Sequence, residues 1–142
     1  MSNIYYEEVF EKEKNMAHIK YKKGYYDGDV NHNKKCHGFG KRTYSTGDYY
    51  EGELRDGNRH GHGKQTYSNG NYYEGEWHDD NRHGHGKYVY KDGTYYEGEW
   101  HDDNRHGLGK YVYKDGTYYE GEWHEKKDAD ANAISLSLKM LE

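Results

Sequence analysis

Eleven histidines and 26 carboxylates in 142 residues are raw material for acid–base or metal chemistry. The densest grouping is His78-Asp79-Asp80-Asn81-Arg82-His83-Gly84-His85, where imidazole and carboxylate stand close enough in sequence to suggest transition-metal ligation. Spacing argues against one shared centre. His60, His83 and His106 recur at equal intervals. If each interval is two β-strands, they stand roughly 10 Å apart, whereas ligands must approach an ion to about 2 Å. A set within a single stretch, His78, Asp79 and His83, stays open as an alternative. Asp79-Asp80-Asn81 shares its composition with a calcium loop but lacks the alternating acidic positions and the distal Glu. Gly84-x-Gly86 is followed by neither a third glycine nor a helix, so it is no nucleotide fingerprint. No Ser, Cys or His has a paired base beyond what repetition supplies. The expectation is a non-enzyme with no catalytic residue, no cofactor and no metal.

What must position these residues is a repeat. Tyr-Tyr-Glu-Gly-Glu-Trp occurs at Tyr72–Trp77, Tyr95–Trp100 and Tyr118–Trp123, with weaker copies at Tyr49–Leu54 and Tyr25–Val30. The starts at 25, 49, 72, 95 and 118 give a period of 23 residues, lengthened once to 24. A fixed period in this range means stacked supersecondary units, each burying its apolar face against its neighbours. A hydrophobic fraction of 31% and a mean hydropathy of -1.56 would ordinarily mark a disordered chain. Against that stand 19 Tyr and 3 Trp at regular positions, whose rings bury enough area to make a narrow, linear core.

Tyr72 to Thr94 serves as the type unit. Two runs rich in aromatic and β-branched residues predict two strands joined by a polar loop, His78 to His83. Asp92-Gly93, Asp115-Gly116, Asn69-Gly70 and Thr46-Gly47 predict tight antiparallel turns between units. Alternation places Tyr73, Gly75 and Trp77 on one face with Gly84, Gly86, Tyr88 and Tyr90. Tyr72, Glu74 and Glu76 go to the other with His85, Lys87 and Val89. Glu74 and Glu76 there face Lys87, and Lys41, Lys64 and Lys110 hold the same slot, in exposed pairs worth only tenths of a kcal/mol. The ring face supplies the candidate partner-binding residues Tyr50, Tyr73, Trp77, Tyr96, Trp100, Tyr119 and Trp123. Its structural glycines are Gly52, Gly61, Gly63, Gly75, Gly84, Gly86, Gly98, Gly107, Gly109 and Gly121.

The pattern Tyr-x-Gly-x-Trp, a short polar stretch, then Gly-x-Gly-x-Tyr-x-Tyr-x-Asp-Gly resembles the MORN repeat (membrane occupation and recognition nexus) from Tyr25 through Trp123. Val30 and Leu54 depart from it in the Trp slot, and Arg42 and Gln65 stand where Tyr88 and Tyr111 sit. The resemblance implies an all-β fold: an elongated, solenoid-like, twisted antiparallel sheet of stacked β-hairpins, one per 23-residue repeat. It also implies a non-catalytic scaffold that binds protein partners or self-associates, a homodimer included, in cytoskeletal or membrane-associated structures. Two alternatives remain open: a module for phosphoinositide or anionic membrane, and a regulatory subunit or fragment of a phosphoinositide kinase or methyltransferase.

The organisation expected is a degenerate N-terminal capping hairpin over 1–24, the repeat array over 25–124, and a C-terminal loop with a capping strand or helix over 125–142. A net charge of -5 offers no long-range attraction to nucleic acid and weakens the case for membrane lipid. Cys36 is the sole cysteine, which suits a reducing, cytoplasmic location, with cytoskeletal or membrane association as its refinement. A strand glycine costs roughly 0.5 to 1 kcal/mol relative to Ala. A buried ring returns at most about 4 to 6 kcal/mol, so the glycines make room for rings. Gly86→Val should therefore lower the melting temperature far more than Lys87→Ala; equal melting temperatures for the two variants would contradict this.

Overall fold

The computed structural model describes residues 5–7 and 16–124. They form eleven strands: β1 (Tyr5–Glu7), β2 (Met16–Tyr21), β3 (Gly24–Val30), β4 (Cys36–Tyr44), β5 (Tyr49–Arg55), β6 (Asn58–Thr66), β7 (Tyr72–His78), β8 (Asn81–Val89), β9 (Tyr95–His101), β10 (Asn104–Val112) and β11 (Tyr118–His124). All pair antiparallel in sequence order, as one open sheet. The hairpin of β7 and β8 is the type unit, and β5/β6 and β9/β10 repeat it. The segment expected to cap the C-terminal end, 125–142, lies outside the described residues.

The stretch His78 to His83 is not a loop. β7 runs through His78 and β8 begins at Asn81, so only Asp79 and Asp80 turn, at φ +44° and +69°. A two-residue hairpin turn that matches the twist of its strands needs positive φ at both central residues, and Asp tolerates it better than most side chains. Asp56-Gly57 and Asp102-Asp103 do the same. The remaining residues are absorbed by a β-bulge. Register passes from Gly75↔Gly86 to Trp77↔Arg82, so His83, Gly84 and His85 stand opposite Glu76 alone. Gly84 takes φ +66° there, and the Glu76 carboxylate accepts a hydrogen bond from the His85 amide. The turns between units, Asp92-Gly93 and Asp115-Gly116 among them, are three-residue loops instead. Lys91-Asp92-Gly93 is closed by Gly93 N–H to Tyr90 O and Tyr90 N–H to Thr94 O.

Register aligns one glycine from each of nine strands into a ladder running across the sheet: Gly28, Gly40, Gly52, Gly63, Gly75, Gly86, Gly98, Gly109 and Gly121. Tyrosine rings lie on it. A Cβ on Gly86 would collide with the Tyr73 ring, one on Gly63 with Tyr50, and one on Gly109 with Tyr96. A Cβ on Gly52, Gly75 or Gly98 would collide with the glycine Cα opposite, and one on Gly121 would meet Tyr119. Gly61, Gly84 and Gly107 form a separate group at the bulges, against the carboxylates of Glu53, Glu76 and Glu99.

Neighbouring units are also clamped by arginine. The Arg59 N–H and Nε donate to Asp80 Oδ1 at 2.8 and 3.1 Å, and Arg82 repeats this with Asp103 at 2.9 and 3.1 Å. Each guanidinium also stacks on the next unit's tryptophan, Arg59 on Trp77 at 4.3 Å and Arg82 on Trp100 at 4.5 Å. Lysine keeps the charge but loses the planar fork and the stacking. Arg82→Lys should cost about 1 to 2 kcal/mol of unfolding free energy, read as a lower denaturant midpoint, and an unchanged midpoint would remove the clamp from the account.

Candidate functional site

The seven rings expected to dock a partner are the interior of the molecule. Tyr50, Tyr73, Trp77, Tyr96, Trp100, Tyr119 and Trp123 are all between 0% and 4% exposed. Tyr50, Trp77, Tyr73, Trp100, Tyr96, Trp123 and Tyr119 form a continuous edge-to-face row, with centroids 5.0 to 5.6 Å apart and planes crossed at 78° to 89°. Aromatic pairs favour this geometry because the positive edge of one ring meets the negative face of the next. Their polar atoms are satisfied from within. The hydroxyls of Tyr50, Tyr73 and Tyr96 donate to the carbonyls of Glu53, Glu76 and Glu99. The indoles of Trp77, Trp100 and Trp123 donate to the carbonyls of Gly63, Gly86 and Gly109.

Over this core lies a second, partly buried row of tyrosines. Tyr67, Tyr88, Tyr90, Tyr111 and Tyr113 follow one another at centroid separations of 4.9 to 6.3 Å. Tyr113 is half exposed. The arginine row runs beneath: Arg82 lies 5.8 Å from the Tyr88 ring, and Arg105 stacks over Tyr111 and donates to the Tyr90 hydroxyl. Sequence reasoning missed these arginines because Arg82 was assigned to a solvated loop. The signal was present in their 23-residue recurrence, always two or three residues after the acidic turn.

On the opposite face the lysines do not chiefly meet glutamate. Lys41, Lys64, Lys87 and Lys110 hold their ammonium groups 4.2 to 4.6 Å from the ring centres of Tyr49, Tyr72, Tyr95 and Tyr118. Lys64 also reaches Glu74 at 3.9 Å, while Glu76 is spent on the bulge amide rather than on Lys87.

The histidines are closer than equal spacing implied, because second copies interleave. His60, His78, His83, His101, His106 and His124 make a row with centroids 5.1 to 6.0 Å apart. Asp79 lies near His78 at 3.6 Å and near His60 of the preceding unit at 3.9 Å, so the two units share it. Among the described residues, no three metal-ligating side chains converge on a position for an ion.

This is the architecture of a repeat scaffold, a class whose function lies in surfaces. The chain belongs to the MORN repeat family: the family's model matches residues 26–49, 50–72, 73–95, 96–118 and 119–127 in succession. The comparison with curated proteins finds no match. The MORN repeat is in general a non-catalytic module, and the chain is a repeat-built binding or scaffold protein.

Burial holds the core phenols neutral. Desolvation pushes the hydroxyls of Tyr26, Tyr50 and Tyr73 far above the usual tyrosine range, and that of Tyr111 up to about 12. A phenol whose folded pKa is raised contributes stability fully present below the unfolded value near 10, and this is lost as pH rises through the folded value. The melting temperature should therefore hold to about pH 10 and fall beyond it. Absorbance at 295 nm should show a lagging group of tyrosines that ionise only as circular dichroism is lost. A single wave that ionises all 19 tyrosines in the folded protein would refute the assignment.

Proposed function

We propose that this protein is a scaffold that binds an extended segment of a protein partner along its aromatic face. The observation that carries the reading is the row Tyr67, Tyr88, Tyr90, Tyr111 and Tyr113, partly buried along its length and exposed at Tyr113, set on a bed of rings and flanked by arginines. Tyrosine and arginine dominate the centres of protein interfaces, because each offers apolar area and a polar tip at little conformational cost. The row crosses successive strands, so a linear partner meets equivalent contacts every repeat. Self-association through the same face is part of this proposal. A reducing, cytoplasmic setting fits the lone buried thiol of Cys36, which burial pushes up in pKa and keeps in its unreactive form.

The lipid alternative draws less support. The lysine row alternates with carboxylates across the strands, and each ammonium already sits on a tyrosine ring. A photo-crosslinking phenylalanine analogue in place of Tyr113 should capture protein partners from the source cell. The same analogue at Glu120, on the lysine face, should capture none of them. Equal capture from both positions would count against the aromatic face, and capture from Glu120 alone would move the site to the other side of the sheet.

A further inference from the structure

Two early departures from the repeat meet in space. Arg42 occupies the slot that Tyr88 and Tyr111 hold later, and Leu54 the slot of Trp77, Trp100 and Trp123. In the later units these slots pack ring against ring, Tyr88 to Trp100 at 6.4 Å and Tyr111 to Trp123 at 6.0 Å. Where Arg42 and Leu54 replace the rings, a cavity of about 190 Å³ opens between Arg42, Tyr44, Tyr50, Leu54, Arg59 and Asp80. A water claims about 30 Å³ of liquid, so the space admits a group of several heavy atoms.

The charges around it are unevenly committed. Asp80 Oδ1 accepts from the Arg59 N–H and Nε, while Arg59 Nη2 donates to the Asp80 carbonyl and Nη1 to Gln65 Oε1. The Tyr50 hydroxyl is taken by the Glu53 carbonyl. Arg42 is different. Its guanidinium lies between the Tyr21 and Tyr44 rings, at 4.4 and 5.2 Å, and among the described residues no carboxylate lies within ion-pair distance of it. Two rings fix the plane of the fork without consuming its donors, which is the preorganisation that bidentate oxyanion recognition needs.

We infer that this cavity binds an oxyanion, the carboxylate or phosphate of a side chain on an extended peptide lying along the aromatic face. Arg42 is the bidentate donor, Arg59 a second positive charge, and Tyr44 the wall. The inference rests on the protein-partner reading and adds register to it. The nearly identical later units let a partner slide from one to the next, whereas an anion held at Arg42 fixes one end. Aspartate, glutamate or a phosphorylated residue at the head of the partner segment is the chemistry selected.

The test needs no partner. In the full chain, the Arg42 Nε–Hε resonance followed by NMR should shift saturably on titration with acetate or inorganic phosphate, and the Arg82 resonance should not. Whichever probe saturates at lower concentration identifies the source as acidic or phosphorylated. Arg42→Tyr installs the residue of the later units and should preserve a well-dispersed spectrum, while saturable phosphate or acetate shifts at Tyr44 and Leu54 amides disappear. Arg42→Lys, with charge but no fork, should weaken apparent affinity about tenfold. Equal, non-saturating shifts on every arginine would overturn the inference while leaving the crosslinking result for the aromatic face untouched.

Discussion

The structure depends on one contact: the hydroxyl end of a tyrosine ring set over a glycine on the neighbouring strand. Remove the glycine and the ring has no floor, because a Cβ on Gly86 would occupy the place of the Tyr73 ring. Remove the ring and the backbone over the glycine ladder is left uncovered. Everything else is arranged so that this contact can repeat. The hydroxyl must end on an acceptor, and it finds the carbonyl three residues on in its own strand. The tryptophan must wedge beside the ring, and its indole donates to the carbonyl of a glycine in the same ladder. The sheet is thus its own second layer, with aromatic side chains doing the covering that an opposing sheet or helix provides in most domains.

Repetition of that contact explains how a chain with so little aliphatic content folds. Tyr73 and Tyr96 each touch their own unit's tryptophan and the next unit's, so the row has no internal gaps and stability passes between neighbours. The arginine clamps work in the same direction. Arg59 and Arg82 each bind the acidic turn of the following unit and cover its tryptophan, tying the rim of one hairpin to the rim of the next. A surface assembled this way is stiff and periodic, and it presents tyrosine and arginine on one side and alternating lysine and glutamate on the other.

Periodicity also limits what each unit can say. Units that are nearly identical present nearly identical contacts, so information about a partner resides where the pattern fails. Arg42 and Leu54 are such a place, and their effect is spatial: two missing rings make one cavity. Phe39 and Leu108, 60% and 65% exposed, are another pair of departures, at equivalent positions on the lysine face that His62 and His85 fill elsewhere.

The sequence by itself determined the strand content, the hairpin repeat, the division of Tyr72–Trp77 into two faces and the need for glycine beneath the rings. These follow from a period of two along a strand and a period of 23 along the chain, both of which are local. It misplaced the turn, reading His78 to His83 as a loop, because a bulge is a property of two strands and appears in neither alone. Tertiary structure alone decided that the tryptophan row is sealed, that Arg59 and Arg82 are clamps, that Glu76 serves the bulge and that six histidines interleave. Each of those depends on how far one hairpin is shifted against the next, and that shift is set by rings packing across units, such as Tyr73 on Trp100 and Tyr96 on Trp123, a separation at which composition and spacing no longer say which side chains meet.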